Sequence, residues 1–453
     1  MSVHLNATGR RWSGLVAVLA LVVSACSTGG GASSVPSAAS LPAATAAPAT
    51  TAPVTTPEPA ASEVTIMTYF GADLGEKALA KLLEKFTADT GVTVKMAPVG
   101  HEDFKTGILV QMAGNNPPDA HSNWAGARTA FQVKNGSLNP IDDIWAANNL
   151  DAAFPAGLVQ SASIYEGKHY LVPLGYHYAG MFYNPAVFAK AGVAIPKTWD
   201  EFIVACDKLK AAGVTPIALG SKNRWPAQFW FDYLLLRTAG AEYRAKLMSG
   251  EASYTDEQVV KAMTLWQTLL EAGYFTKDAN AYDWTDASDQ VAKGEAAMTL
   301  MGTWITGYWN EQKKVPGTDY NFFEFPTVDP AVPNAVVGPV DGMVTAAQAK
   351  NPDGAKKLLL FLTDPGVQTE WAIGQGALAP NVKADTTKFN VVIQDALKVV
   401  GAAKSFNFNY DLATPPAVAE AGLDMFASFV GNPADITGLL GTTQTAAKAA
   451  FGR

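Results

Sequence analysis

The side chains most capable of chemistry, the histidines and the clustered carboxylates, do not stand at the spacings of known catalytic or metal sites. The five histidines, at positions 4, 101, 121, 169 and 177, never form the two-histidine helical spacing of a zinc protease. Asp283, Asp286 and Asp289 recur every third residue, which is not the spacing of a calcium-binding loop. A phosphate-binding glycine loop and a Gly-x-Ser-x-Gly nucleophile motif are both absent from the sequence. We therefore assign no catalytic residue, no metal ligand and no cofactor.

Aromatic residues beside small polar ones, at the ends of predicted elements, indicate binding instead. These segments are WAGAR at 124, YHYAG at 176, NRWPAQFWFDY at 223–233, YDWTD at 282 and GTW at 302. A sugar presents an apolar C–H face and a rim of hydroxyls, so its site combines flat rings with polar side chains. Core packing explains any single tryptophan about equally well, and Trp266, on a regular helical face, is predicted to be a core residue.

One of the two cysteines, Cys26, ends an apolar run near the N-terminus. A pair of arginines precedes about twelve mostly apolar residues, and Ser24 and Ala25 stand just before the cysteine. This run is shorter than the roughly 20 apolar residues that span a bilayer, so we interpret residues 1–25 as a secretory signal peptide. The other cysteine, Cys206, lies in a predicted helix as a small buried side chain, which leaves the exported chain without an internal disulfide.

Composition separates a tether from a globular region. Residues 27–62 consist almost entirely of Ser, Gly, Ala, Pro, Thr and Val, and nothing there is large enough to offset the entropy of folding, so we predict a disordered tether. The remaining ~390 residues exceed the usual limit for one hydrophobic core, so two lobes are expected. The formal net charge of −8 argues against a nucleic-acid partner, which would require a basic patch.

The elements that position these residues follow an α/β order. EVTIMTYF, residues 63–70, alternates as a strand does, and a helix, a second strand (92–99), a second helix and PPDAHSNW follow over short connections. This order predicts a lobe with a largely parallel sheet. A second series begins near Pro173 and contains predicted capping boxes, and the C-terminal ~70 residues are predicted to be mainly helical. The predicted boxes are Thr198 with Glu201 and Thr255 with Gln258.

From residue 63 onward, several longer motifs occur in an order that resembles the extracellular solute-binding proteins of ABC importers, specifically the carbohydrate-binding group. The motifs are NNPPDAHSNWAG, YLVPLGYHYAGMFYNPAVFAKAGVAIPKTWDEF, KGEAAMTLMGTW, PVDGM and LLFLTDPGVQTEW, with LVVSAC before them. The resemblance implies an α/β, two-lobed periplasmic-binding-protein fold of type II-like topology, with the ligand cleft between lobes joined by hinge strands. It places lobe 1 in residues 63–173 plus 327–363 and lobe 2 in residues 174–326 plus 364–453.

The resemblance also implies functional residues. Val23 to Cys26 match the bacterial lipobox, in which the cysteine is diacylated and becomes the mature N-terminus. Many relatives carry glycine where this chain has Asp341, in the turn of the PVDGM strand. The implied ligand-binding residues are Tyr69, Glu102 and Trp124 in the first lobe, Tyr176, His177, Trp225, Trp230 and Trp304 in the second, and Asp341.

The expected function is that of a monomeric, substrate-binding lipoprotein of an ABC importer, anchored in the cell membrane on its extracytoplasmic face. It would capture a sugar or oligosaccharide by hinge closure and deliver it to the permease. One alternative is a secreted glycan-processing enzyme, because a pair of catalytic carboxylates is assembled in space and leaves no motif. Another is the same fold with a polyamine, oxyanion or metal as ligand. The sequence does not select the sugar or the number of its units.

Overall fold

The computed structural model describes residues 63–71 and 75–452. The predicted signal peptide (1–25), Cys26 and the predicted tether (27–62) lie outside the described residues. None of the helices within the described ranges is both long enough and apolar enough to cross a membrane.

The strands of the described chain fall into two main sheets and two short pairs. They are β1 (Glu63–Thr68), β2 (Thr93–Pro98), β3 (Ala120–Trp124), β4 (Leu138–Asn139), β5 (Ile164–Tyr165), β6 (Lys168–His169), β7 (Val172–Tyr176), β8 (Ala179–Tyr183), β9 (Thr215–Ile217), β10 (Ala296–Gly302), β11 (Asn321–Phe323), β12 (Ala335–Val337), β13 (Val340–Ala346) and β14 (Ser405–Asn407). The first sheet has the order β2-β1-β3-β13-β4, with β7 paired to β13, and the second has the order β11-β8-β10-β9.

Helices cover both sheets. They are α1 (Glu76–Thr90), α2 (His101–Ala113), α3 (Ala127–Lys134), α4 (Asp142–Ala147), α5 (Ala156–Leu158), α6 (Pro185–Lys190), α7 (Trp199–Ala211), α8 (Gln228–Thr238), α9 (Gly240–Met248), α10 (Glu257–Glu271), α11 (Trp284–Lys293), α12 (Ile305–Glu311), α13 (Pro352–Phe361), α14 (Pro365–Gln375), α15 (Val391–Ala402), α16 (Tyr410–Ala413), α17 (Pro416–Gly431) and α18 (Ile436–Phe451). Short 3₁₀ turns occupy 150–152, 225–227, 279–281 and 386–388, and a π-helical turn occupies 159–163. The predicted helical C-terminal region is confirmed.

The strands and helices at the start of the first lobe form as predicted, but the sheet is mixed rather than largely parallel in its pairing, because β13 runs antiparallel to β3, β4 and β7. In β1 the alternating residues Val64 and Ile66 are buried, and β1 pairs in parallel with both β2 and β3. Helix α1 buries Leu79, Leu83 and Phe86 against this sheet, because residues three and four apart share one face of a helix. The parallel order brings the ends of β1 and β3 to the same edge of the sheet.

The second lobe has the larger core. Helix α8 is buried on nearly every side, and α7, α10 and α17 pack around it. Cys206 on α7 is fully buried, and burial raises the pKa of its thiol well above the usual value, as expected for a structural cysteine. Trp266 on α10 is also fully buried, so its predicted core role is confirmed.

Capping explains two of the polar patterns in the sequence. The predicted capping box of α7 is present, because Glu201 N donates to Thr198 Oγ1 at 3.3 Å and Thr198 N donates to the Glu201 carboxylate at 3.2 Å. Asp283 and Asp286 form another box at the start of α11, which accounts for part of the regular acidic spacing. The predicted box at Thr255 and Gln258 was wrong. The N-cap of α10 is Asp256, and its carboxylate accepts instead from Ser253 N and the Tyr243 hydroxyl, each at 3.0 Å.

Three passages of the chain connect the lobes. Strand β7 belongs to the first sheet through its last residue, Tyr176, so the first crossing follows that residue. Phe325 still stacks on Tyr233 in the core of the second lobe, so the return crossing comes after Phe325. Helix α14 places Val367 and Trp371 in the core of the first lobe. We therefore propose crossings near residues 177, 338 and 376, later than the positions that the family resemblance implies (near Pro173, at 325–328 and after Thr363).

Candidate ligand-binding cleft

A cleft lies between the two lobes and encloses about 610 Å³, part of it open to solvent. Its walls come from both lobes and from residues 405–413, a segment that we call the strap. The lining residues are Tyr69, Phe70, His101, Lys105, Trp124, Arg128 and Asp341 from the first lobe, His177, Trp225, Gln228, Phe229, Trp284 and Trp304 from the second, Pro339 and Gln375 from the segments where the chain passes between the lobes, and Asn409, Asp411 and Leu412 from the strap.

Two aromatic rings are stacked in the first-lobe wall. Tyr69 follows β1 and Trp124 ends β3, so the parallel pairing of these strands brings the rings together with centres 4.0 Å apart and planes 8° apart. The Arg128 guanidinium lies over the Trp124 ring, 5.2 Å from its centre, and must occupy the opposite face because Tyr69 fills the first. Trp124 therefore has no free face on which a ligand could stack.

A buried carboxylate lies beside this stack. Asp341 on β13 pairs with Trp124 across the sheet, and the Tyr69 hydroxyl donates to Asp341 Oδ1 at 2.6 Å. His177 Nε2 lies 3.0 Å from Asp341 Oδ2, and His177 Nδ1 lies 2.9 Å from Thr303 Oγ1. Burial, together with the negative charge of Asp341, raises the pKa of Tyr69 well above its usual value, so the phenol stays protonated and remains a donor. This network joins residues of both lobes where the chain passes between them.

The second-lobe wall is aromatic. Trp304 follows β10 and is 8% exposed, with its ring 5.2 Å from His177 and 5.8 Å from Trp225, centre to centre. The ring lies directly over Gly302, where a β-carbon would overlap it. Trp304 can lie against its own strand only because residue 302 has no side chain.

An unusual turn presents Trp225. Arg224 has φ +64° and ψ −43°, and Trp225 N donates to Asn223 O at 2.7 Å, which makes a strained three-residue turn. The Arg224 guanidinium is held by Asp424 at 2.6 Å and by a second carboxylate, Glu420, at 2.8 Å, both on α17. Trp225 thereby reaches across the cleft to within 5.8 Å of the His101 ring, centre to centre, so the two walls meet there.

Residues 71–369 match the sequence profile of the bacterial extracellular solute-binding proteins. The chain belongs to this family. It is 32% identical, over 83% of both chains, to an ABC transporter extracellular-binding protein of Pyrococcus horikoshii. A probable sugar-binding periplasmic protein of Mesorhizobium japonicum is 29% identical over 80% of this chain and 88% of its own. Among solved structures, the bacterial solute receptor AcbH superimposes with a TM-score of 0.81 at 27% identity, over 86% of this chain and 99% of its own. AcbH is described as having an exclusive preference for β-D-galactopyranose.

In this solute-binding protein, Glu102 supports the cleft from behind. His101 Nδ1 lies 2.8 Å and Lys105 Nζ 3.0 Å from the Glu102 carboxylate. Partial burial opposes ionisation, but these two partners hold the pKa of Glu102 at about 2, so the carboxylate is charged at neutral pH. Glu102 orients His101 and Lys105, which line the cleft, and is itself absent from the lining.

Besides Glu102, two further residues that the family resemblance implied are absent from the cleft lining of this solute-binding protein. Trp230 is fully buried and packs on Phe275 and Phe325, because its side of α8 lies in the core of the second lobe. Tyr176 exchanges backbone hydrogen bonds with Leu378 between the lobes. The structure brings together the other implied residues, Tyr69, Trp124, His177, Trp225, Trp304 and Asp341.

Most of the polar lining of this solute-binding protein was not anticipated from the sequence. Lys105 lies on α2 and Arg128 on α3, and Gln375 ends α14. Asn409 and Asp411 belong to the strap, in the run NFNYDL, which has no motif that marks a binding residue. The proximity of aromatic residues in that run is the one signal that could have selected it.

Proposed function

We propose that the protein is the sugar receptor of an ABC importer. The observation that carries this proposal is the pairing of a tryptophan wall, Trp304, with the buried Asp341 carboxylate, joined by His177, which contacts both. An aromatic face suits the C–H surface of a pyranose, and a carboxylate accepts hydrogen bonds from its hydroxyls. The Mesorhizobium japonicum relative is named a probable sugar-binding protein, and AcbH has a stated preference for β-D-galactopyranose. Both support a sugar as the ligand class.

The contact of Trp225 with His101 across the cleft supports capture by closure of the two lobes. Closure would replace water around the ligand with protein groups, and the closed form would be the one that the permease recognises. Because both walls come from a single chain, we infer that each receptor acts as a monomer.

We propose that the protein performs no catalysis. Asp341 accepts from Tyr69, and Glu102 has a pKa of about 2, far below that of a general acid. Incubation with oligosaccharides should therefore release no new reducing ends, and their appearance would favour the glycan-processing alternative.

We expect sugars to raise the melting temperature of the purified protein. At a hundredfold excess over Kd, a ligand that binds only the folded state adds about 2.7 kcal/mol of stability. For about 390 residues this corresponds to a shift of roughly 3 °C. The measurement is a thermal-shift screen with D-galactose, D-glucose, D-xylose, N-acetylglucosamine, maltose, raffinose and chitobiose.

Spermidine, phosphate and zinc form the control arm of the screen, because they represent the non-sugar ligands of the same fold. A shift with one of these and with no sugar would contradict the proposed function. The ratio of the shifts with mono- and oligosaccharides also indicates how many sugar units the cleft accepts.

We further propose that Cys26 carries the lipid anchor. The lipobox match supports this, together with the apolar run before it. Several acyl chains make an anchor durable, since each buried CH₂ contributes about 0.8 kcal/mol. Residues 27–62 would then be the tether that separates the receptor from the membrane surface.

Replacing Cys26 by alanine in the full-length chain should move the protein from the detergent phase to the aqueous phase on detergent partitioning. The matched control is Cys206→Ala, which removes the buried cysteine of α7 and should leave the partitioning unchanged. Detergent-phase recovery of the Cys26→Ala protein equal to that of the parent would refute the anchor.

A further inference from the structure

Asn409 precedes helix α16 but does not cap it. Its side chain makes no hydrogen bond to the first N–H groups of that helix, although asparagine at this position usually does. Gln228 Oε1 on α8 accepts from Asp411 N instead, at 2.9 Å. Asp232 Oδ2, on the same helix, accepts from Tyr410 N at 2.8 Å. Helix α8 has thus taken over the capping, and the amide of Asn409 is left for another role.

The neighbouring carboxylate fixes the orientation of this amide. Asn409 Nδ2 donates to Asp411 Oδ1 at 2.6 Å, so the amide oxygen Oδ1 points away from that carboxylate. Asn409 lines the cleft and is 5% exposed, and Oδ1 has no hydrogen-bond partner among the described residues. A buried amide oxygen without a donor is unfavourable, so a donor from a ligand would be stabilising.

The strap holds this oxygen in a defined place between the lobes. On the second-lobe side, Arg244 Nη2 donates to Phe408 O at 2.7 Å. On the first-lobe side, the Leu412 carbonyl packs against Gly126 (φ +94°) so closely that a β-carbon at residue 126 would overlap it. Because the strap is fixed on both sides of Asn409, its Oδ1 is positioned before a ligand arrives.

We infer that Asn409 is a specificity-determining residue whose Oδ1 accepts a hydrogen bond from a hydroxyl group of the ligand. This inference rests on the proposed function, since it concerns the same cleft. Carboxylates and fully deprotonated phosphates are disfavoured at this position, because they offer only acceptors and would face both Oδ1 and the Asp411 carboxylate.

Two other buried polar atoms of the lining fit the same ligand chemistry. Gln375 Oε1 is a second acceptor, and Trp304 Nε1 is a donor, and neither has a hydrogen-bond partner among the described residues. A hydroxyl donates one hydrogen bond and accepts others, so a neutral ring with several hydroxyls satisfies all three atoms. The ligand class that these atoms select is therefore an uncharged polyhydroxylated ring.

The test uses the sugar that gives the largest thermal shift in the screen, together with its set of single deoxyfluoro analogues. Fluorine keeps the size of a hydroxyl but removes the donor. In the wild-type protein, calorimetric titration should show at least one position at which the analogue binds about 10- to 100-fold more weakly, and the Asn409 variants identify the position that faces Oδ1. In Asn409→Leu, the parent sugar should weaken by a similar factor, and the difference between the parent and that analogue should fall to about threefold or less.

Asn409→Ala is the second variant, since it adds no volume and leaves the capping by Gln228 and Asp232 in place. The matched control is Asn390→Leu, because Asn390 does cap its helix and accepts from Ile393 N at 3.0 Å. The control should lower the melting temperature and leave the sugar affinity unchanged.

Wild-type affinity for the parent sugar in both Asn409 variants would overturn the inference, and so would an equal loss for every analogue, which marks a merely structural role. In both cases the proposed function would stand. If no sugar in the screen binds the wild-type protein, the proposed function itself fails, and the inference fails with it.

Discussion

Replacing Trp304 with alanine is expected to weaken sugar binding by about 30- to 1,000-fold, that is, by about 2–4 kcal/mol. Trp304 is the ring of the second-lobe wall that contacts both His177 and Trp225. Its loss removes the apolar surface and the Nε1 donor together. The first lobe offers no substitute, since Trp124 is covered by Tyr69 on one face and by Arg128 on the other.

Calorimetric titration of the same sugar measures this loss, and Trp304→Phe separates its two causes. Phenylalanine keeps a flat ring but has no N–H, so it should recover most of the affinity while the contribution of the donor is lost. Trp199→Ala is the matched control, because Trp199 is a partly buried tryptophan of the second lobe that packs on Phe202 and Phe325 away from the cleft. Binding by Trp304→Ala within threefold of wild type would remove this ring from the site.

Replacing Asp232 with leucine is expected to lower the free energy of unfolding by about 3–5 kcal/mol. Asp232 is fully buried on α8, and its Oδ1 accepts from Arg244 Nε at 2.8 Å and from Arg244 Nη2 at 2.6 Å. Without the carboxylate, the guanidinium of Arg244 stays buried and uncompensated, and Tyr410 N loses its acceptor. Since Tyr410 follows Asn409 in the strap, sugar affinity should fall as well.

Urea-induced unfolding measures the stability change. The double variant Asp232→Leu with Arg244→Met should regain most of the lost stability, because it removes both charges at once. Glu242→Gln is the matched control. It breaks the exposed pair with Lys246, whose charged atoms are 2.9 Å apart, and should cost no more than about 1 kcal/mol. Equal stability of the wild type and the Asp232→Leu protein would show that the buried pair does not hold the strap.

Local patterns in the sequence predicted the elements well, because each depends on neighbours along the chain. The alternation around Val64 and the spacing of Leu79, Leu83 and Phe86 are properties of single segments, and the structure confirms both. The capping box of Thr198 was predictable for the same reason. The failure at Thr255 shows the limit, since α10 begins after Asp256, whose carboxylate accepts from Ser253 N and from the distant Tyr243 hydroxyl rather than from the helix.

The cleft was predictable only in part, because its members come from distant segments. A tryptophan in a sequence motif is equally compatible with a position in the wall of the cleft and with a position in the hydrophobic core of a lobe. Trp225 and Trp230 are five residues apart, yet the first lines the cleft and the second is buried within the lobe. Asn409 carries no local mark, since its unpaired oxygen results from the contact of the strap with α8.

The contact between Gly302 and the Trp304 ring also has an evolutionary consequence. The ring occupies the space that a β-carbon of residue 302 would need, so a substitution at either position changes what is tolerated at the other. Homologous chains that keep the tryptophan are expected to keep the glycine, and chains that have lost the tryptophan are free to vary both. The joint presence of glycine and tryptophan at these two positions should therefore identify, in a sequence, the receptors that retain this aromatic wall.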